Sequence, residues 1–146
     1  MKPEEKLIEL FNKGIVDNNL FNIVMKSNKV NTDLFLDFLN STNQMVKICT
    51  IKLLGKHRQD LFPLVEVLNQ DNNNDVMECV IRVLGDRNQY AECMSKLLKE
   101  DSALLNLIIE YLERTDKKEY LTALLFSDNN QLVDYIQKKV NGEKHG

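Results

Sequence analysis

The feature that most constrains this chain is an internal repeat. The segment VKICTIKLLG at residues 46–55 matches VMECVIRVLG at residues 76–85, an offset of 30 residues, with Val, Cys, Ile, Leu and Gly at identical positions. The match continues into a second apolar segment, because Leu64, Val67 and Leu68 fall on Met94, Leu97 and Leu98. A further copy follows at an offset of 28 residues, where Leu104 and Ile108 recur as Leu132 and Ile136. A period of 28–30 residues predicts stacked supersecondary units that bury their apolar faces against each other.

The apolar spacing inside each unit is helical. One stripe contains Val46, Cys49, Ile51, Leu53 and Leu54, and the next contains Leu61, Leu64, Val65 and Leu68. Polar clusters between the stripes are expected to form turns and to supply helix N-caps. Gly55 and Gly85 are predicted to end the first helix of their units in the left-handed conformation. This pattern predicts about ten helices.

The repeats define the predicted organisation of a single domain over residues 1–146. Residues 1–43 are expected to hold a capping helix at Pro3–Lys13 and an irregular unit that pairs residues 18–27 with Thr32–Asn40. The clear repeats cover residues 44–140, and a frayed tail is expected at residues 141–146.

The two best copies resemble HEAT repeats of the short, phycobilisome-lyase-like type, whose first helix carries V-R-x-x-A-A-x-A-L-G. Val46, Leu54 and Gly55 keep the pattern, as do Val76, Leu84 and Gly85, whereas Thr50, Ile51, Val80 and Ile81 stand where alanine is usual. The resemblance implies an all-α fold, a right-handed α-solenoid of the ARM/HEAT kind with about four to five helical hairpins. It implies little about activity, because such a scaffold supplies a surface and the surface residues choose the partner.

Composition excludes several classes of protein. The chain has 19 Lys and Arg against 22 Asp and Glu, so it has no general attraction to nucleic acid or to anionic lipid. No apolar run is long enough to cross a bilayer, and the acidic N-terminal stretch does not resemble a secretory signal. We therefore expect a cytoplasmic protein.

Cys49, Cys79 and Cys93 are expected to be buried, reduced thiols, and Met25, Met45, Met77 and Met94 are expected to pack in the core.

The sequence offers little for catalysis. His57 and His145 are the two histidines, and His57 is predicted to meet free carbonyls at a helix end. Neither a nucleophile motif nor a phosphate-binding glycine loop is present, and the Cys and His spacings do not suit a metal. We expect no catalytic residue, no cofactor and no metal.

The function predicted from the sequence is that of a non-catalytic scaffold or adaptor that binds another protein through a curved helical surface, as a monomer or a weak dimer. In HEAT arrays the second helices usually line the concave surface, and their predicted outward residues are Glu66, Asn69, Glu92, Lys96, Lys99, Lys118 and Thr122.

Two alternatives remain open. One is nucleic-acid binding of the DNA-alkylation-repair type, with basic clusters at Lys52, Lys56 and Arg58 and at Arg114, Lys117 and Lys118, and with Tyr90, Tyr111, Tyr120 and Tyr135 for stacking. The other is an accessory subunit of a chromophore-lyase-like enzyme.

Overall fold

A computed structural model describes residues 1–71 and 73–145, and the side chains of residues 1–71 and 73–142. Every secondary-structure element in this part of the chain is a helix and none is a strand, which confirms the all-α class. It divides into two compact units, the first at Met1–Arg87 and the second from Asn88 onward. The predicted single domain over residues 1–146 stays a prediction.

The first unit contains five α-helices and two 3₁₀ segments among its described residues. They are α1 (Pro3–Asn12), α2 (Asn18–Lys26), a 3₁₀ helix (Thr32–Asn40), α3 (Gln44–His57), α4 (Phe62–Glu66), which continues as a 3₁₀ turn (Val67–Asn69), and α5 (Asn74–Asp86). The helix α3 packs against α2, the 3₁₀ helix and α5, so it lies at the centre of this unit.

The second unit contains α6 (Tyr90–Glu100), α7 (Ser102–Arg114), α8 (Lys118–Leu125) and α9 (Asn130–His145). Each of these helices packs against the next, and α6 also contacts α8 and α9. The backbone of α9 is helical to His145, beyond the apolar stripe that predicted its end at Val140. The rest of the predicted frayed tail, Gly146, lies outside the described residues.

Side-chain N-caps recur with the period of the repeat. The Oδ1 atoms of Asn43 and Asn73 accept hydrogen bonds from the N–H groups of Val46 and Asp75, at 3.1 and 2.8 Å. In the second unit, the Oδ1 atoms of Asp101 and Asn129 each accept from the backbone N–H of the residue three positions later, at 3.1 Å. These caps are spaced by 30, 28 and 28 residues. The prediction that the polar clusters supply N-caps is therefore confirmed.

Polar contacts within the first unit join elements that lie one period apart. His57 Nε2 lies 3.0 Å from the carbonyl oxygen of Met25, near the C-terminus of α2. Arg87, which is 30 residues after His57, donates to the carbonyl oxygens of Gly55 at 2.7 Å, Lys56 at 3.3 Å and Arg58 at 2.9 Å. Both side chains therefore bind backbone oxygens at the end of the helix one period earlier.

The predicted apolar stripes form the core. Val46, Ile51, Leu53 and Leu54 of α3 are fully buried, and so are Leu61, Leu64 and Val65 around α4. Because α3 has neighbours on several sides, polar residues on it are buried as well. The hydroxyl of Thr50 donates to the carbonyl of Val46 at 2.7 Å, and Lys47 Nζ lies 2.8 Å from Asp71 Oδ2. The lysine side chain is 11% exposed and the aspartate side chain 28% exposed, so the ammonium is the more shielded half of this ion pair.

The prediction that Gly55 and Gly85 end their helices in the left-handed conformation is wrong. Gly55 lies inside α3 and Gly85 inside α5, and neither has a positive φ. The left-handed residues after α1, α5 and α7 are instead Gly14 (φ 71°), Asn88 (φ 58°) and Asp116 (φ 61°). Gly55 instead allows α3 and α5 to pack closely, since a Cβ placed on it would overlap Cγ1 of Val83 and lie 3.0 Å from Cγ2.

The segment Thr32–Asn40 is helical, but it is a 3₁₀ helix and not the regular second helix that its sequence suggests. In a 3₁₀ helix, residues three apart project from the same side. Phe35 and Phe38 are so spaced, and both rings pack edge-on against Phe11 of α1, with centroids 6.2 and 5.3 Å away. The aromatic cluster thus favours the tighter helix.

The predicted burial of methionine and cysteine holds only in part. Met77, Met94, Cys49 and Cys93 are buried. In contrast, Met45 is 60% exposed because it follows the N-cap of α3, and Met25 is half-buried at the end of α2.

Candidate interaction groove

An open groove of about 520 Å³ lies along α3 and α5 within the first unit. Its wall is largely apolar and its edges carry charges of both signs. The lining residues are Met25 of α2, Ile48, Lys52, Gly55 and Lys56 of α3, and Asp75, Glu78, Cys79, Arg82, Val83, Asp86 and Arg87 on or next to α5.

The repeat explains why these residues meet. Ile48, Lys52 and Lys56 of α3 stand at the positions that Glu78, Arg82 and Asp86 occupy in α5, 30 residues later. Equivalent faces of two equivalent helices therefore border one groove. The glycine at position 55 permits this approach, because it leaves room for the methyl groups of Val83 against the backbone of α3.

The two edges of the groove differ in charge. The α3 edge carries Lys52 and Lys56, which are exposed and form no ion pair with any described carboxylate. Their spacing of four residues places them about 5–6 Å apart on one side of a helix. The α5 edge holds three carboxylates against Arg82 and Arg87, so its net charge is negative, and Nη2 of Arg82 lies 2.8 Å from Glu78 Oε1. This gives a cationic edge facing a mainly acidic one.

The sulfur at the groove belongs to Cys79, which is half-buried, so its predicted full burial is wrong. It faces the space between α3 and α5 and not the core below them. Burial raises the pKa of the Cys79 thiol, and the charges of Lys52 and Arg82 oppose that rise only in part. The pKa of Cys49 is raised for the same reason. Both groups therefore favour the thiol form, which is a poor nucleophile.

His57 is the last residue of α3 and is partly buried. A carbonyl oxygen only accepts hydrogen bonds, so the Nε2 atom that contacts Met25 must carry the proton. The imidazole therefore meets a free carbonyl at a helix end, as predicted, but the helix is α2 and not its own. The side chain of His145 lies outside the described residues.

All seven residues predicted to contact a partner are exposed. Glu66 and Asn69 belong to the first unit, on α4 and on the 3₁₀ turn that follows it. In the second unit, α6 carries Glu92, Lys96 and Lys99, whereas α8 carries Lys118 and Thr122. The hydroxyl of Thr122 donates to the carbonyl of Lys118 at 3.0 Å, so its donor is used within its own helix.

The sequence predicts a contact surface on the second helices, whereas the groove lies along α3 and α5, the first helices of their units. A signal was present: the charged residues of the repeated first helix, Lys52 with Arg82 and Lys56 with Asp86, recur at 30 residues on one face. Whether that face is open depends on the neighbouring helices, which the period alone does not specify.

Neither a metal site nor a membrane span is found among the described residues. No group of three or more His, Cys, Asp or Glu side chains among them is arranged to hold a metal ion. None of the described helices has the length and apolar character required to traverse a bilayer. Comparison of the chain with known protein families, with curated proteins and with solved structures finds no match.

Proposed function

We propose that this protein is a non-catalytic HEAT-like repeat scaffold or adaptor that binds another protein through a curved helical surface. The observation that carries the proposal is the groove along α3 and α5, with its apolar wall and its charged edges. Protein interfaces commonly combine an apolar centre with a polar rim. The free thiols suit a reducing compartment such as the cytoplasm, and we propose a monomer or a weak dimer there.

A stack of repeats is supported by contacts within each unit. In the first, Asn43 Nδ2 donates to the carbonyl of Gly14 at 2.9 Å, across 29 residues. In the second, the hydroxyl of Tyr135 donates to Asn106 across 29 residues, and Lys139 pairs with Glu110 across the same interval. Side chains one period apart therefore touch in both units, as neighbouring repeats do in an α-solenoid.

Nucleic-acid binding is less well supported by the same residues. Affinity for nucleic acid depends mainly on cations that neutralise phosphates, and the groove places carboxylates opposite Lys52 and Lys56. The third member of that basic cluster, Arg58, is engaged by Asp33 at 2.8 Å. Two of the candidate stacking residues, Tyr90 and Tyr111, are buried and so cannot stack on bases.

The test is capture of partners from lysate of the source organism by the tagged full chain, with and without nuclease, at two salt concentrations, followed by mass spectrometry. We expect a defined protein that is retained after nuclease treatment. Retained material that disappears with nuclease or with modest salt would reject protein binding and favour nucleic acid.

Two variants locate the contact. Charge reversal at Lys96 and Lys118 together probes the surface predicted from the sequence, and reversal at Lys52 and Lys56 probes the groove. All four side chains are exposed, so neither double variant should alter the helical circular dichroism. The variant that loses the captured protein identifies the surface that binds it.

A further inference from the structure

We infer that the groove binds an amphipathic protein segment whose apolar side chains enter the groove, with carboxylates along its α3 edge and cations along its α5 edge. This inference rests on the proposed function and specifies the chemistry of the partner. It follows from the charge separation across the groove.

The α3 edge determines the acidic side of the partner. Lys52 and Lys56 project from one side of α3, are exposed, and have no described carboxylate as an ion-pair partner. Two ammonium groups one helical turn apart suit two carboxylates at the same spacing on a partner. In contrast, Nη1 of Arg87, at the end of the groove, already donates to three backbone carbonyls.

The α5 edge determines the basic side. Asp86 is exposed near the C-terminal end of α5, and Asp75 is exposed near its N-terminal end, where it accepts from Gln44 Nε2 at 3.4 Å. The pairing of Arg82 with Glu78 leaves these two aspartates as the main charges of that edge. A segment with the opposite arrangement of charge would place like charges together, so the groove also selects the orientation of its partner.

Burial of the apolar wall provides a driving force for binding. Met25, Ile48, Cys79 and Val83 face the groove and are partly exposed, so apolar side chains of a partner would remove their remaining surface from water. A uniformly anionic polymer would be repelled by the two aspartates of the α5 edge. An uncharged apolar ligand would form no ion pair with either edge.

The probe is a library of random peptides displayed and selected on the purified full chain. We expect enriched peptides to combine apolar residues with both acidic and basic residues. The best peptide is then labelled, and its affinity is measured by fluorescence anisotropy. Charge reversal at both lysines (K52E with K56E) should weaken binding about tenfold or more, because two surface attractions become repulsions. The matched control is K29E, an exposed lysine of the same unit that does not line this groove.

A charge swap gives the sharpest result. The same peptide with lysine in place of its acidic residues should bind the K52E/K56E double variant more tightly than it binds the unaltered chain. Peptides enriched without carboxylates, or bound equally by the double variant and the unaltered chain, would overturn the inference while leaving protein binding intact. A library that yields no binder would also overturn it, and failure of the lysate capture as well would reject the proposed function. A dimer that the double variant abolishes would identify a second copy as the occupant and overturn the inference.

Discussion

Replacing Gly55 with alanine should destabilise the first unit, although alanine is the better helix former. The new Cβ would overlap Cγ1 of Val83 and would lie 3.0 and 3.1 Å from its Cγ2 and Cβ. Valine is branched at Cβ and has one strongly preferred rotamer in a helix, so it cannot rotate away. The helices α3 and α5 must therefore separate if the methyl group is to fit.

The magnitude follows from two opposing contributions. Overpacking a close contact costs about 1–3 kcal/mol, with the deep overlap favouring the upper part of that range. Replacing glycine with alanine inside a helix stabilises the folded state by about 0.5–1 kcal/mol. We expect a net loss of about 1–2 kcal/mol in the free energy of unfolding. Urea titration followed by far-ultraviolet circular dichroism measures it as a lower midpoint.

Two further variants separate the clash from any general effect of alanine. Val83→Ala removes the opposing methyl groups, so adding it to Gly55→Ala should recover about 1–2 kcal/mol as a coupling energy. Gly142→Ala is the matched control, because Gly142 is also helical but has nothing within 4 Å of its added Cβ. That control should stabilise the chain by about 0.5–1 kcal/mol. A Gly55→Ala protein as stable as the unaltered chain, or a clash that Val83→Ala does not relieve, would refute the close approach of α3 and α5.

Three other predictions concern charge, backbone and thiols. Asp71→Asn should cost about 1–2 kcal/mol in urea titrations, since it leaves the shielded Lys47 without its counter-ion. Because the hydrogen bond from Lys47 lowers the pKa of Asp71, this contribution should be present above the unfolded pKa of about 3.9 and vanish as pH falls through the lower folded value. Asp116→Gly should raise stability by about 0.5 kcal/mol in thermal melts, because relief of the strain at φ 61°, about 1–2 kcal/mol, exceeds the entropic cost of glycine, about 0.5–1 kcal/mol. Alkylation followed by mass spectrometry should modify Cys79 before Cys49, and the rate should keep rising with pH beyond the ordinary thiol pKa of about 8.5, since burial raises both pKa values.

The repeat in the sequence was enough to predict the helices and most of the core. The apolar stripes of α3 and α4 are buried as expected, and the caps at Asn73 and Asp101 lie in the predicted polar clusters. These features are local, since spacing along a helix and the residue before it determine them.

The errors concern features that depend on distant neighbours. A glycine after an apolar stripe suits either a left-handed helix cap or a close helix contact. At Gly55 the close contact is with Val83, which is 28 residues away in the sequence. The groove depends in the same way on how α3 and α5 pack. The sequence identifies Lys52 and Lys56 as a basic cluster, but the apolar cleft beside them depends on residues of α5 and α2.

The contacts made by His57 and Arg87 bear on how such a chain can evolve. Each side chain binds main-chain oxygens, which every residue possesses, so a mutation in the preceding repeat cannot remove the acceptor atom itself. A duplicated unit would bring its own donor and would find acceptors in whatever unit stood before it. Because the acceptors are backbone atoms, a duplicated repeat can change its side chains at the acceptor positions and still be bound by the donor of the next repeat.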